Sequence, residues 1–286
     1  MTSIEHTHLN DDQLLIDLHQ YGLDFLNAPQ QLDRYVVIFV KSGKGSFKAD
    51  FTSFTFTGPV ILFATPLQTI YVESVDVLDY RLLTFHGDFY CIEYHKAQVA
   101  CNGLLFNNIY IDPSVKLTLS ESLIFESLLD QMESEIRRFP PEEIVLRSYL
   151  QLLLAKASSI KIRDRDAPKM IAATDDQMEH FKVLLDLHYL THRRPCDYAV
   201  MLSMSPNTFT KRCKAYFKKT PSIIIGERII TEAKKALHLS RKSIKEIAYA
   251  LNFKDEFYFS RTFKKFTKVS PQHFRLKTGI SIVADL

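Results

Sequence analysis

The sequence predicts an α+β multidomain chain. An N-terminal antiparallel β-barrel with flanking helices is followed by an all-α C-terminal domain with two helix-turn-helix units. Three observations support this reading. Short apolar runs punctuated by Gly and Pro fill the first 85 or so residues, and an apolar periodicity of helical step takes over from about residue 118. Charge divides the chain again, farther along. From Asp175 onward there are 21 Lys and Arg against 11 Asp and Glu, a net of +10, whereas the preceding part has 15 against 22, a net of −7. A basic end on an acidic body suggests that one end meets a polyanion, though charge alone does not say which.

The first half justifies its strands one at a time. Tyr35-Val36-Val37-Ile38-Phe39-Val40 ends at Ser42-Gly43-Lys44-Gly45-Ser46, read as a hairpin-like turn that supplies positive φ. Phe47, Phe51, Phe54 and Phe56 follow in polar surroundings, up to a second turn at Gly58-Pro59. Val60–Phe63, Thr69–Val72 and Tyr80–Phe85 are further short strands, the first two separated by Thr65-Pro66. Closely spaced short strands of this kind argue for a sandwich or barrel.

Two helices come next. Ser120 to about Arg138 carries its apolar residues at helical spacing and is broken by Pro140-Pro141. A second, from Glu142 to about Ala157, presents Val145, Tyr149, Leu152 and Leu153 at near-heptad steps. Such helices can hide their apolar faces on the barrel or offer one to a second subunit, and a homodimer is expected. The domain boundaries follow: residues 1–160 as a sensor or dimerisation domain with a helical end at about 118–158, residues 161–175 as a polar linker interrupted by Pro168, and residues 176–286 as the basic helical domain.

Within that domain two segments share one grammar. Tyr198 to Lys214 and Ile247 to Lys264 each open with a short helix holding a small Ala. That helix ends at Leu, turns through a small polar residue (Ser203, Asn252) and an apolar plug (Met204, Phe253), and gives way to a second helix. Ser205 with Pro206 caps one second helix and Asp255 the other. In the later helix Phe259, Phe263 and Phe266 are expected to face inward, leaving Glu256, Phe257, Ser260, Arg261 and Lys264 outside. In the earlier one Phe209, Cys213 and Tyr216-Phe217 face inward, leaving Asn207, Thr210, Lys211 and Lys214. Cations mixed with Asn, Thr and Ser on an exposed helix suit the major groove, where Arg and Lys address guanine and Asn addresses adenine. Double-stranded DNA is therefore the expected partner.

The stretch Ser243-Ile244-Lys245-Glu246-Ile247-Ala248, then Leu251-Asn252-Phe253, Tyr258 through Lys265 and Ser270-Pro271-Gln272-His273-Phe274-Arg275 resembles the AraC/XylS family of bacterial regulators. The resemblance covers about residues 176–276. It implies two helix-turn-helix units joined by one long helix, here about Pro221 to Leu239, and a transcription regulator, with activation the expected outcome and RNA polymerase the partner of an activator. Four cysteines without a disulfide framework suit a reduced, cytoplasmic setting. Three positions depart from the family: Asn252 and Ser203 stand where it usually has Gly, and Cys213 where it usually has Phe. Asn visits the left-handed region readily, so the turn tolerates it. A weaker resemblance to cupin-type sensor domains covers the strands and implies a small-molecule effector. A barrel that only dimerises, or that binds a protein partner, is the alternative.

Other chemistries find little support. A metal-bearing cupin needs a His-x-His pair, and Ser46 through Gln68 holds no His, so no metal or cofactor is expected. His86, Cys91, His95 and Cys101 lie close in sequence but lack the tight Cys-x-x-Cys step of strong zinc sites. Neither a nucleophile elbow nor a P-loop is present, and no enzyme is expected. No apolar run is long enough to cross a membrane, and the N-terminal stretch lacks the features of a secretory signal.

Overall fold

The computed structural model describes residues 15–19, 25–50, 52–74, 77–92, 104–106, 109–110, 112–166 and 175–279. The chain divides into two units, one of Met1–Asn108 with Asp112–Ala167 and one of Pro168–Leu286 with the short Ile109–Ile111 stretch. The expected α+β organisation holds: strands and two helices make the first unit, helices the second.

The first unit holds β1 (Ile16–His19), β2 (Gln30–Gln31), β3 (Tyr35–Ser42), β4 (Lys44–Ala49), β5 (Thr52–Thr57), β6 (Val60–Ala64), β7 (Thr69–Ser74), β8 (Asp79–Phe85) and β9 (Ser114–Lys116). They pair antiparallel in two sheets, ordered β1-β8-β3-β6-β9 and β2-β7-β4-β5. The six residues Tyr35–Val40 of β3 are all buried because both faces of its sheet are covered. Val37 and Phe39 join one core with Phe63 and Phe85, while Val36, Ile38 and Val40 join another with Phe47, Ile70 and Val72 of the second sheet. Strand β4 alternates instead, as a strand does when one face meets water.

The turn at Gly43 differs from its expectation. Gly43 does take a positive φ of 112°. It does not close a hairpin, however: β3 pairs with β6 and β8, and β4 with β5 and β7, so Gly43 carries the chain from one sheet to the other. Phe47 and Phe56 are buried as expected, and Phe51 lies outside the described residues.

Helices α1 (Leu119–Ile136) and α2 (Glu143–Asp166) pack on the first sheet. Thr118 and Glu121 form a capping box at the start of α1. Arg81 of β8 ties the sheet to α1 through Asp130 at 2.5 Å and Glu133 at 2.6 Å. The buried stripe of α2 is Leu146, Leu150, Leu153, Leu154 and Ala157, whereas Leu152 is exposed and Val145 and Tyr149 are half-buried. The apolar residues of α2 thus split between an inner and an outer face. Helix α2 also runs beyond 158 to Asp166, into the stretch read as linker; Pro168, which cannot continue a helix ladder, follows two residues later.

The second unit consists of α3 (Asp176–His188), α4 (Pro195–Met201), α5 (Pro206–Phe217), α6 (Pro221–Leu239), α7 (Ile244–Ala250), α8 (Glu256–Thr267) and α9 (Pro271–Thr278). Its two cores are aromatic. Phe181 of α3 meets Tyr198, Phe209 and Phe217 at ring separations of 5.4, 5.0 and 6.0 Å. Phe259 meets Phe253 at 5.2 Å, and Phe263 meets Phe274 at 5.6 Å. Helix α6 runs between the two helix-turn-helix units, and Arg275 of α9 satisfies its C-terminal carbonyl at Leu237 at 3.1 Å. Among the described residues no helix is long and apolar enough to cross a membrane.

Candidate nucleic-acid interface

The local chemistry of both units is set by their caps and turns. Ser205 accepts from the Thr208 amide at 3.2 Å with Pro206 at the first helical position, and Asp255 accepts from the Tyr258 amide at 2.7 Å. Ser203 and Asn252 sit at φ of 54° and 60°, the left-handed turn in which Asn is tolerated. Helices α5 and α8 then end alike, at Lys218 and Lys268 in the same left-handed region.

Burial sets the register between the two. Phe209, Cys213 and Phe217 are buried on α5, and Phe259, Phe263 and Thr267 on α8, the same i, i+4, i+8 stripe fifty positions apart. The shorter helices before them align at forty-nine, Ala199 with Ala248 and Leu202 with Leu251. The difference is Lys254, one additional residue in the second turn.

On this register the predicted outer residues fall into pairs: Asn207 with Phe257, Thr210 with Ser260, Lys211 with Arg261, and Lys214 with Lys264. All except the half-buried Thr210 and Ser260 are exposed, Phe257 at 80%. Thr210 donates its hydroxyl to the Pro206 carbonyl at 2.8 Å. Among the described residues no side-chain hydrogen bond or ion pair engages Lys211, Lys214, Arg261 or Lys264. Glu256 has no such counterpart; it lies half-buried in the first turn of α8, where a carboxylate complements the helix dipole.

Two inward assignments are corrected. Tyr216 is 36% exposed and donates its hydroxyl to Glu179, because on a helix it lies a quarter-turn off the stripe of Phe217. Phe266 is likewise off the stripe that Thr267 occupies; it is half-buried, with its ring tip against Gly226 of α6. Cys213 lies fully inside beside Met178, and burial pushes its thiol up to about 12.

Sequence reasoning missed the cations that hold the scaffold. Arg212 of α5 donates to Asp175, the cap of α3, at 2.7 Å and to Gln177. Burial opposes ionisation of Asp175, but Arg212 and the Met178 amide outweigh it and hold the carboxyl below the usual aspartate range. Arg228 of α6 reaches Asp186 at 2.7 Å and Glu232 at 3.0 Å and lies over the Tyr189 ring at 4.0 Å. Apart from the i, i+4 pair with Glu232, no run of neighbouring residue types marks such contacts, since Asp175 and Asp186 lie 37 and 42 positions away.

His95 and Cys101 lie outside the described residues; among those described, no three His, Cys, Asp or Glu are grouped to hold a metal ion. In the first unit Tyr35, Phe63 and Phe85 pack within about 6 Å of Phe106, so these rings fill core. A cavity of about 180 Å³ lies elsewhere on that unit. Its lining is largely charged, including Lys41, Asp79, Arg81 and Glu126.

The second unit is thus a double helix-turn-helix with two matched outer faces. Residues 198–277 match a family described as a helix-turn-helix domain, and the chain carries an AraC-type helix-turn-helix domain at its C-terminal end. The raffinose operon transcriptional regulatory protein RafR of Pediococcus pentosaceus is 26% identical over 115 residues, 40% of this chain and 42% of that relative's length. Among solved structures, ToxT from Vibrio cholerae is 16% identical, with 93% of this chain and 100% of that one covered at a TM-score of 0.41. An AraC-type DNA-binding-domain regulator from Chromobacterium violaceum is 21% identical over 38% of this chain and 97% of that one, at a TM-score of 0.35.

Proposed function

We propose that the chain is a sequence-specific, double-stranded-DNA-binding transcription regulator and that α5 and α8 are its reading helices. The observation that carries this is the matched outer face: Lys211 and Arg261, and Lys214 and Lys264, occupy equivalent positions and keep their charges free of protein partners among the described residues. Solvation explains any one charged helix face. It does not explain why two units of differing sequence hold cations at the same two positions.

Roles follow from chemistry and place. Arg261 lies midway along α8 beside Ser260, and a guanidinium pairs with guanine through two hydrogen bonds. Lys264 lies about one turn on and meets phosphate as a point charge. Phe257 offers an apolar contact of the kind a thymine methyl accepts, and Asn207 the amide that addresses adenine. Arg261→Ala should cost roughly 1–3 kcal/mol on the selected site and relax preference at one base pair. Lys264→Ala should weaken selected and random DNA alike and reduce the salt dependence by about one charge. Selection from random duplex DNA identifies the site. If Arg261→Ala parallels wild type across single-base variants, Arg261 is not a reader.

The finer reading is an effector-responsive activator, the β-rich unit binding a small molecule and the regulator engaging RNA polymerase. A panel of metabolites that leaves DNA affinity and thermal stability unchanged would count against it. The alternative, a first unit that dimerises or binds a protein partner, draws on the exposed Leu123, Ile124, Ile144 and Leu152 of α1 and α2. Leu152→Glu should then turn a dimer into a monomer in sedimentation, and a wild-type monomer removes the dimer reading.

A further inference from the structure

Four observations converge on the turn of the second helix-turn-helix. The Asn252 side-chain amide donates to the Leu190 carbonyl at 3.0 Å, 62 residues earlier and in the loop that precedes α4. Arg193, from the same loop, donates to the Leu251 carbonyl and lies over the Phe253 ring at 4.1 Å. The loop is itself anchored, since Arg228 of α6 covers Tyr189 and Tyr198 donates to the His192 carbonyl at 2.8 Å. Ser203, in the matching position of the first turn, has no side-chain bond among the described residues.

The left-handed turn explains only part of this. At φ of 60° the backbone requires Gly or a residue such as Asn, and Gly meets that need at no steric cost. Nothing in turn geometry requires an amide. The contact that uses it crosses from the second helix-turn-helix to the loop that leads into the first, and Arg193 makes the same crossing beside it. One is a neutral amide–carbonyl bond at the surface; the other adds a cation over an aromatic face.

We infer that Asn252 and Arg193 are positioning residues that fix the orientation of α8 relative to α5, and so make this protein select the spacing between two half-sites. The inference rests on the regulator reading above. Each base pair inserted between half-sites rotates one relative to the other by about 34° and shifts it by about 3.4 Å, given 10–10.5 base pairs per turn. Units joined through α6 alone can adjust to part of that change by bending. With the loop and the turn also bonded they resist it, so a one-base-pair change forfeits contacts to one helix.

The test uses the full chain and duplexes carrying the selected site with its spacer at the preferred length and one base pair longer or shorter. Asn252→Asp keeps shape and left-handed tolerance but cannot donate to a carbonyl. Asn252→Gly with Arg193→Ala removes both bridges while leaving the turn relaxed. Wild type should lose about tenfold or more on either altered spacer, the loss of one reading contact. Both variants should bind the preferred site within a few-fold of wild type and lose clearly less on the altered ones. Hydrogen exchange in free protein should quicken together over residues 189–194 and 250–254. Variants that weaken equally on all three spacers, or exchange unchanged in both segments, would overturn the inference while leaving the regulator intact. Wild type without any preference among duplex sequences would instead overturn the regulator reading, and this one with it.

Discussion

Gly226 gives the sharpest energetic test of how α6 and α8 fit together. It lies inside α6, where Gly costs about 1 kcal/mol relative to Ala, so on an open helix Gly226→Ala would stabilise by that amount. Here a Cβ would stand 2.1 Å from the Phe266 ring tip and 2.8 Å from its two neighbouring carbons. Carbon atoms prefer about 3.5–4.0 Å, so the ring must retreat by more than about 1 Å or α8 must move. Overpacking of this kind costs typically about 1–3 kcal/mol, which exceeds or cancels the gain. The expected net is a loss of about 1 kcal/mol, read as a lower urea midpoint for the helical unit in the full chain. In a Phe266→Ala background the obstruction is gone, and the same Gly226→Ala step should stabilise by about 1 kcal/mol. The double-mutant cycle should thus show coupling on the order of 1–3 kcal/mol. A single Gly226→Ala variant more stable than wild type, with no coupling to Phe266, refutes the close approach.

Three further outcomes are expected. Ser243→Ala removes the hydroxyl of the α7 capping box, which accepts from Glu246 at 3.1 Å, and should cost about 1 kcal/mol in the same unfolding assay; no change would mean that the cap is not formed in solution. Asp175 titrates below its ordinary range, so its contribution is present above about pH 4 and is lost as pH falls through the depressed folded value. Asp175→Asn keeps a capping oxygen but not the ion pair with Arg212, and should flatten the fall in urea midpoint below about pH 4; an unchanged acid limb would remove Asp175 from the account. Iodoacetamide on native protein at neutral pH should modify the exposed Cys196 and spare Cys213, whose thiol is buried and shifted up to about 12. Peptide mapping that finds Cys213 modified as fast as Cys196 contradicts that burial.

The helical unit was the more legible because its signals are local. Ser205, Pro206, Asp255 and Ser243 act within three or four residues, and the stripes through Phe209 and Phe259 repeat at the step of one helix face. Phe266, three residues after Phe263, and Tyr216, beside Phe217, suggest inward positions by spacing, but each falls off the stripe that the i, i+4, i+8 step buries. In the first unit Gly43 looks the same in sequence whether the chain turns back beside its own strand or crosses to another sheet. Only the partners of β3 and β4, dozens of residues away, decide it. The two-residue β2 and three-residue β9 carry too few side chains for an alternation to register. Arg193, Arg212 and Arg228 were illegible for a different reason: a charged residue in a basic region reads as surface until the fold supplies its aromatic or acidic neighbour.

The two helix-turn-helix units share a scaffold but diverge where a base would be met. Lys218 and Lys268, the buried stripes and the Pro221 and Pro271 helix starts all repeat fifty positions apart, so the backbone of one unit predicts that of the other. Apart from Thr210 with Ser260 and Lys214 with Lys264, their outer faces do not repeat in kind. Asn207 is opposed by Phe257 and Lys211 by Arg261, so an amide and a point charge in the first unit become an apolar ring and a forked donor in the second. A lysine on phosphate contributes affinity with little regard to sequence, whereas an arginine aimed at guanine discriminates. If α5 and α8 read bases as proposed, α8 carries most of the base selection and α5 adds adenine preference and charge. Such a division works only if α5 stays in phase with α8, since an anchor free to slide would add affinity to every neighbouring sequence and blur what α8 selects. The Asn252 and Arg193 contacts stand at the place where that phase is set.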